Sequence, residues 1–309
     1  MASTALAQPN QPTKRWHNSY YLVMSAWRTL MLNKSVFARL TIVPFLWTLG
    51  IMVLMGVGVV ATSTITDNAI RGPLTDNSLL TIAYGAIIYL ALSYIANYYA
   101  GATVIAALAQ FEGRLIRYKE SMQAVQQHRK EIFAFSLLTS TIGYILQLIE
   151  ERLPFAGKIA TWLVGTAWAI AAMFAVPVIV TTKQKISALD AVRNSAGIIK
   201  KTWGENIIVN SGIAAVGILA VVLYFLLASI IAWTAVAILG TGMGIVLPLV
   251  AVGTIGLFAT FLVLSALSAI VKAAVFYYAT SGRTPEEFDT ELLRASFTSK
   301  KARGVFGAL

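Results

Sequence analysis

The feature that most constrains this chain is a set of apolar runs, 18 to more than 30 residues long, bounded by charged or turn residues. In a helix rising 1.5 Å per residue, about 20 residues cross a hydrocarbon core of roughly 30 Å. The runs fall at about 36 to 62, 79 to 109, 132 to 149, 159 to 181, 207 to 239 and 245 to 279. They predict an all-α polytopic membrane protein with six transmembrane helices arranged as three hairpins. Of the 309 residues 58% are hydrophobic and 12% charged, about half the charged fraction of a soluble domain. An ordinary soluble enzyme is thereby excluded. The last two runs, over residues 207–279, are longer than a bilayer requires, so they are expected to tilt, to kink at Pro248 or to project beyond it. A third crossing, broken at Gly240-Thr-Gly-Met-Gly244, would carry six Lys/Arg to the far side and is disfavoured.

Charge sets the expected sidedness. Segments 1–39, 110–131, 182–206 and 272–309 hold 21 of the 24 Lys/Arg, leaving Arg71, Arg152 and Lys158 for the alternate loops. With the acids included, one face carries +12 and the other −1. Both termini are expected in the cytoplasm, and the net +11 reads as contact with anionic lipid headgroups, with no nucleic acid involved. Residues 1–13 lack the basic and apolar regions of a cleaved signal and read as a disordered tail. A single transmembrane domain covers 14–283. Residues 284–309 read as a cytoplasmic helix and basic tail, because Thr284-Pro-Glu-Glu287 fits a capping box with Pro at the first helical position.

The segments repeat. A basic amphipathic helix precedes each pair of spans, giving three parallel units of about 90, 65 and 90 residues, unlike the inverted repeats of many transporters. The first helix places Tyr20, Val23, Met24, Trp27, Leu30 and Met31 on one stripe, with Ser25 and Arg28 elsewhere. In the second, Met122, Val125, Ile132 and Phe133 share a face. The third aligns Leu189, Val192, Ala196, Ile199 and Trp203, flanked by Arg193 and Lys200, with Lys201 on the far side. Such helices can lie in the membrane plane while Lys and Arg reach back to water and phosphate, or can pack beneath their own span pairs.

Groups for chemistry are scarce. The chain has no cysteine and two histidines, His17 and His128, both in cytoplasmic segments. No Asp, Glu or His falls inside a span, and neither a Walker loop nor a dinucleotide fingerprint is present. No catalytic residue, metal site or cofactor is expected. Asn97 lies among Tyr94, Tyr98 and other tyrosines in the second span, and Asn210 a turn inside the fifth. A buried amide in hydrocarbon needs partners, so each either bonds across helices or lines a polar cavity. Lys272, two turns from a cytoplasmic end, either snorkels or faces that cavity. Pro44 and Pro177 each leave one helical carbonyl without its donor.

Several stretches carry a resemblance: Tyr94-Ile-Ala-Asn-Tyr-Tyr-Ala-Gly-Ala-Thr-Val-Ile-Ala-Ala-Leu-Ala-Gln-Phe-Glu-Gly113, Gly165-Thr-Ala-Trp168, Val176-Pro-Val-Ile-Val180, Ala188-Leu-Asp-Ala-Val-Arg-Asn-Ser195, Lys201-Thr-Trp-Gly-Glu-Asn206 and Tyr278-Ala-Thr-Ser-Gly-Arg-Thr-Pro-Glu-Glu-Phe-Asp289. Over residues 15 to 298 the chain resembles a family of prokaryotic six-span membrane proteins of unknown function. More distantly, residues 177–203 are similar to the membrane domain attached to some glycerophosphodiester phosphodiesterases, without the catalytic domain. The resemblance implies a common fold in a prokaryotic inner membrane and brings no activity with it. Its most specific piece, Trp203-Gly-Glu-Asn206, reads as a junction in which Trp203 lies at interfacial depth while Glu205 and Asn206 cap the fifth span, or alternatively as a headgroup or cation site.

The function expected is that of a non-enzymatic scaffold or membrane-organising subunit. Trp27, Arg28, Arg193, Lys200, Lys201, Trp203, Glu205 and Asn206 would contact anionic lipid, a protein partner or a second copy of the chain. The alternative is a transporter or channel for a lipid-like or small hydrophobic solute, with Asn97, Tyr94, Tyr98, Asn210 and Lys272 around a polar cavity.

Overall fold

The computed structural model describes residues 15–65, 79–203, 221–224, 226–231, 233–234 and 243–289, and every regular element among them is a helix. In chain order these are α1 (Arg15–Leu32), α2 (Lys34–Ile65), α3 (Leu79–Phe111), α4 (Tyr118–Gln126), α5 (Arg129–Arg152), α6 (Phe155–Ala171), α7 (Ala175–Thr181), α8 (Ala188–Trp203), α9 (Val221–Ile231) and α10 (Met243–Ser281). Among the described residues, five stretches are long and apolar enough to cross a membrane: Lys34–Leu54, Gly85–Phe111, Arg129–Arg152, Gly157–Thr181 and Ile255–Ser281. Of the run expected at 207–239, only α9 and two further residues are described.

The long helix α3 is the hub, packing against α2, α4, α5, α7 and α10. Its C-terminal half is rich in alanine, with Ala102, Ala106, Ala107 and Ala109 buried against neighbours such as Ala273 and Ala274 of α10. Small residues let helix backbones approach, and dispersion contact then holds them where lipid supplies no hydrophobic drive. At Gly101 three helices meet closely, because a Cβ there would stand 3.0 Å from Val125 of α4 and 3.1 Å from Val180 of α7.

The core occupies one end of the bundle. Leu22, Phe37, Val125, Ile132, Ile179 and Ile270 are fully or almost fully buried there, drawn from six helices. Toward the other end the helices turn large apolar side chains outward, among them Met52, Leu54, Trp162 and Ile255. An exposed apolar surface of this extent is a lipid-facing surface. At the core end, Gln110 of α3 donates to the carbonyl of Thr29 in α1 (2.9 Å), and the rings of Phe111 and Phe288 lie 6.0 Å apart. These contacts gather α1, the end of α3 and the turn after α10 at the basic end.

Three expectations need correction. The fourth span is not one helix: residues 172–174 separate α6 from α7. Pro177 has no N–H for the carbonyl four residues back, and the Phe174 N–H has left the helix to donate to Ser195 Oγ of α8 at 2.9 Å. Pro44, by contrast, leaves α2 continuous. The second amphipathic segment also divides, by a turn at Gln127 and His128, so that Val125 is buried in α4 while Ile132 (buried) and Phe133 (exposed) belong to α5. Over 284–289 the chain forms a turn in which Phe288 N–H donates to Pro285 O (3.0 Å), and Pro285 and Phe288 are buried. No helix starts within 284–289, and the rest of the expected C-terminal helix and tail, 290–309, lies outside the described residues.

Candidate functional site

The amphipathic helices form a collar around the basic end, and their orientation is the most informative geometry in the molecule. In α1, Leu22, Ser25, Ala26 and Thr29 are buried, whereas Tyr21, Trp27, Met31 and Leu32 are exposed with Arg28 among them. Ser25 therefore lies inward, and of the predicted apolar stripe Trp27 and Met31 point outward while Val23 and Leu30 pack against the core. The small face is what fits against α10, the neighbour along α1, and Trp27, Met31 and Leu32 are exposed on the other side. Trp27 is 39% and Leu32 59% exposed.

Helix α8 divides differently. Ala191, Val192, Ser195 and Ile199 are buried toward α5, α6, α7 and α10. Leu189 is 52% exposed, not on the buried stripe, and at 100° per residue it shares the outer face with Arg193 and Lys200, with Lys201 further round. The Ser187 hydroxyl caps the helix: it accepts from Asp190 N–H at 3.1 Å and donates to the Asp190 carboxylate at 2.6 Å. Arg193 pairs with the same carboxylate at 3.1 Å. The hydrogen bond from Ser187, then that from Arg193, holds the Asp190 pKa below the usual aspartate range. Both oxygens of Asp190 are thus engaged, one by Ser187 of the cap and the other by Arg193. α8 runs to Trp203, and Glu205, Asn206 and Asn210 lie outside the described residues.

Asn97 joins two helices. Its amide donates to Ser136 Oγ of α5 at 3.0 Å and to Ser93 Oγ at 3.3 Å, and Ser93 meets Thr139 at 3.4 Å. Ser136 in turn donates to the carbonyl of Ile132 (2.8 Å). Beside this polar layer, Tyr94 stacks edge-on to Phe133 (5.6 Å) and lies 5.8 Å from Tyr98, itself 5.9 Å from Tyr99. Of the two readings of Asn97, the geometry matches the cross-helix bond.

A groove of about 370 Å³ runs between α2, α3 and α10, lined by Pro44, Phe45, Tyr99, Thr103, Phe261 and Ala266 among others. Its Thr41, Thr48 and Thr103 hydroxyls donate to carbonyls on their own helices at 2.8 Å, leaving acceptor lone pairs and apolar surface toward the groove. Asn97, Tyr94, Tyr98 and Lys272 do not line it. Lys272 is exposed although Val271, Ala273, Ala274 and Val275 are buried, so it stands on the outer surface of α10. Among the described residues, no three His, Asp or Glu side chains come together as metal ligands.

The chain matches the model of a family of unknown function, DUF6159, over residues 81–286. It belongs to that family. The match takes in α4 to α10 whole, most of α3 and the first part of the turn that follows α10, and leaves out α1 and α2. No curated protein and no solved structure matches the chain.

Two features escaped the sequence reading. Ser195 was invisible as a partner for a broken helix, since nothing local relates it to Phe174. The groove is built by residues from three distant segments, of which Pro44 and Tyr99 stand out in the sequence.

Proposed function

We propose that the chain is a non-enzymatic protein of a prokaryotic inner membrane, with six spans and both termini in the cytoplasm. It acts as a scaffold or membrane-organising subunit whose collar helices engage anionic lipid. The observation that carries this reading is the outward apolar face of α1: Trp27, Met31 and Leu32 are exposed beside Arg28 at the end of the bundle where the cations gather. In water that face would be inverted. At a headgroup boundary it buries its apolar side chains while Arg28 reaches phosphate. Leu189, Arg193 and Lys200 repeat the combination on α8, each cation near the surface adding about 1 kcal/mol.

The chain has no cysteine, so Met31→Cys and Leu189→Cys each give a single labelling site. Spin labels there, with the full chain in liposomes containing phosphatidylglycerol, are expected to collide with oxygen more than with a water-soluble nickel chelate. Trp27→Glu combined with Leu189→Glu should reverse the ratio at position 31 while the spans stay inserted. A water-like ratio at both sites in the parent chain sinks the reading.

The groove between α2, α3 and α10 favours a second reading, transport of a lipid-like or small hydrophobic solute. Its volume lies at the small end of ligand pockets. Ala96 lines it and is exposed, so Ala96→Phe should block flux of such a solute in liposomes without loss of fold. Unchanged flux removes this reading.

A further inference from the structure

A second cavity lies between the start of α2 and the start of α4, apart from the outer faces of α1 and α8 and from the groove. Asn33 separates α1 from α2, and its side-chain amide donates to the carbonyl of Ile116, 83 residues away, at 3.1 Å. Across from it, Gly113 (φ 77°) ends α3 in the left-handed conformation. Gly113 N–H donates to Gln110 O and Arg114 N–H to Ala109 O, both at 2.9 Å, which is the pattern of a Schellman cap. The cap sends residues 114–117 beneath the first turn of α2. The result is a pocket of about 420 Å³ with Asn33, Ser35 and Arg39 on one wall and Arg117, Tyr118 and Lys119 on the other.

Three cations and no carboxylate line this pocket. The nearby acids are occupied: Glu112 pairs with Arg114 at 2.7 Å, and the Glu120 carboxylate accepts the backbone N–H of Arg117 at 3.3 Å. No ion pair among the described residues involves Arg39, Arg117 or Lys119. Depth is fixed by the two apolar stretches that meet here, since Lys34–Leu54 begins and Gly85–Phe111 ends beside the pocket. On the membrane side, Tyr118 faces Tyr99, which also faces Trp47. Trp47 is 60% exposed and lies 13 residues into the Lys34–Leu54 stretch, about 20 Å along the helix, on the acyl-chain side of the pocket.

We propose that this pocket holds the phosphate of one anionic glycerophospholipid, whose acyl chains run into the bilayer past Trp47. Two forked guanidiniums and an ammonium suit a phosphate with no competing carboxylate. The hydrogen bond from Asn33 and the Gly113 cap hold both walls in place before the lipid arrives. None of the α1 or α8 collar residues takes part, so this site and the collar stand or fall separately.

The test counts lipids retained on the full chain by native mass spectrometry, titrating phosphatidylglycerol and phosphatidylcholine with the same acyl chains. One phosphatidylglycerol should be retained at a concentration at least roughly tenfold lower than phosphatidylcholine. Arg39→Gln with Lys119→Gln should weaken it by about 25-fold, at roughly fivefold per cation, with an unchanged melting temperature. Arg28→Gln with Arg193→Gln, the same charge loss placed on the collar, should leave it within about twofold. Lys119 is exposed, so Lys119→Gln alone gives the fivefold effect without depending on the fold of the pair. Equal retention of the two lipids, or no effect of Lys119→Gln, overturns the proposal. So does glycerol 3-phosphate binding as tightly as the lipid, which would make the pocket a soluble-phosphate site.

Discussion

The backbone N–H of Phe174 donates to the side-chain oxygen of Ser195, 2.9 Å away on another helix. Both residues are fully buried, so this hydroxyl takes over a donor that the break between α6 and α7 releases. Ser195→Ala would strand that N–H where water does not reach, at a cost of about 1 to 3 kcal/mol. Reversible unfolding in mixed micelles should register the loss, and a variant as stable as the parent would refute it. Because α8 carries Arg193 and Lys200, the same variant should loosen the collar at position 189.

Asn97 supports a stability prediction in place of a transport one. Its amide bonds to Ser136 across α3 and α5 and to Ser93 on its own helix, and such bonds inside membrane bundles contribute about 0.6 to 1.7 kcal/mol. Asn97→Leu should destabilise by that amount. A double-mutant cycle of Asn97→Ala with Ser136→Ala should show positive coupling. Zero coupling would mean that the two side chains do not depend on each other.

The helices were legible because apolar runs of bilayer length leave the backbone no other way to satisfy its polar groups. Their faces were less so. Helical spacing shows that Trp27, Met31 and Leu189 share stripes with other apolar residues, but not whether lipid or protein covers the stripe. In α1 the protein takes the small face of Ala26 and Thr29, and in α8 it takes Val192 and Ile199 while Leu189 stays outside. That choice depends on which neighbours arrive, namely α10 for one and α5 to α7 for the other. Pro44 and Pro177 look alike in sequence, yet α2 runs through Pro44 while the helix is interrupted just before Pro177, where the Phe174 N–H bonds to Ser195 of α8. For the same reason Asn97 could be read two ways until Ser136 stood beside it.

Gly113 offers a clean test of backbone conformation. Its φ of 77° lies in the left-handed region, and a Cβ built there meets nothing within 4 Å. Gly113→Ala therefore adds strain without a clash, about 1 to 2 kcal/mol. Part of that strain can be relieved by unwinding the cap, which moves Arg117 and Lys119 away from Arg39. The variant should lower the melting temperature and weaken phosphatidylglycerol retention together. Loss of stability with full retention would separate the cap from the pocket.

Asp190 ties the start of α8 to pH. Ser187, first, and Arg193, second, hold its folded pKa below the usual aspartate value, which is about 3.9 in the unfolded chain. A carboxyl whose pKa falls on folding contributes stability that is fully present above the unfolded value and disappears as pH falls through the folded one. Above about pH 5 the cap should therefore be insensitive to pH, and below about pH 4 it should weaken as the carboxylate takes up a proton. Amide protection at residues 190 and 191, corrected for intrinsic exchange, is the measure. Asp190→Asn should reproduce at neutral pH the low-pH protection of the parent and remove its acid dependence, whereas an unchanged acid response in that variant would assign the titration to another group. Since the pair is exposed on the surface of α8, high salt should reduce the share of the effect contributed by Arg193 and leave the share contributed by Ser187 in place.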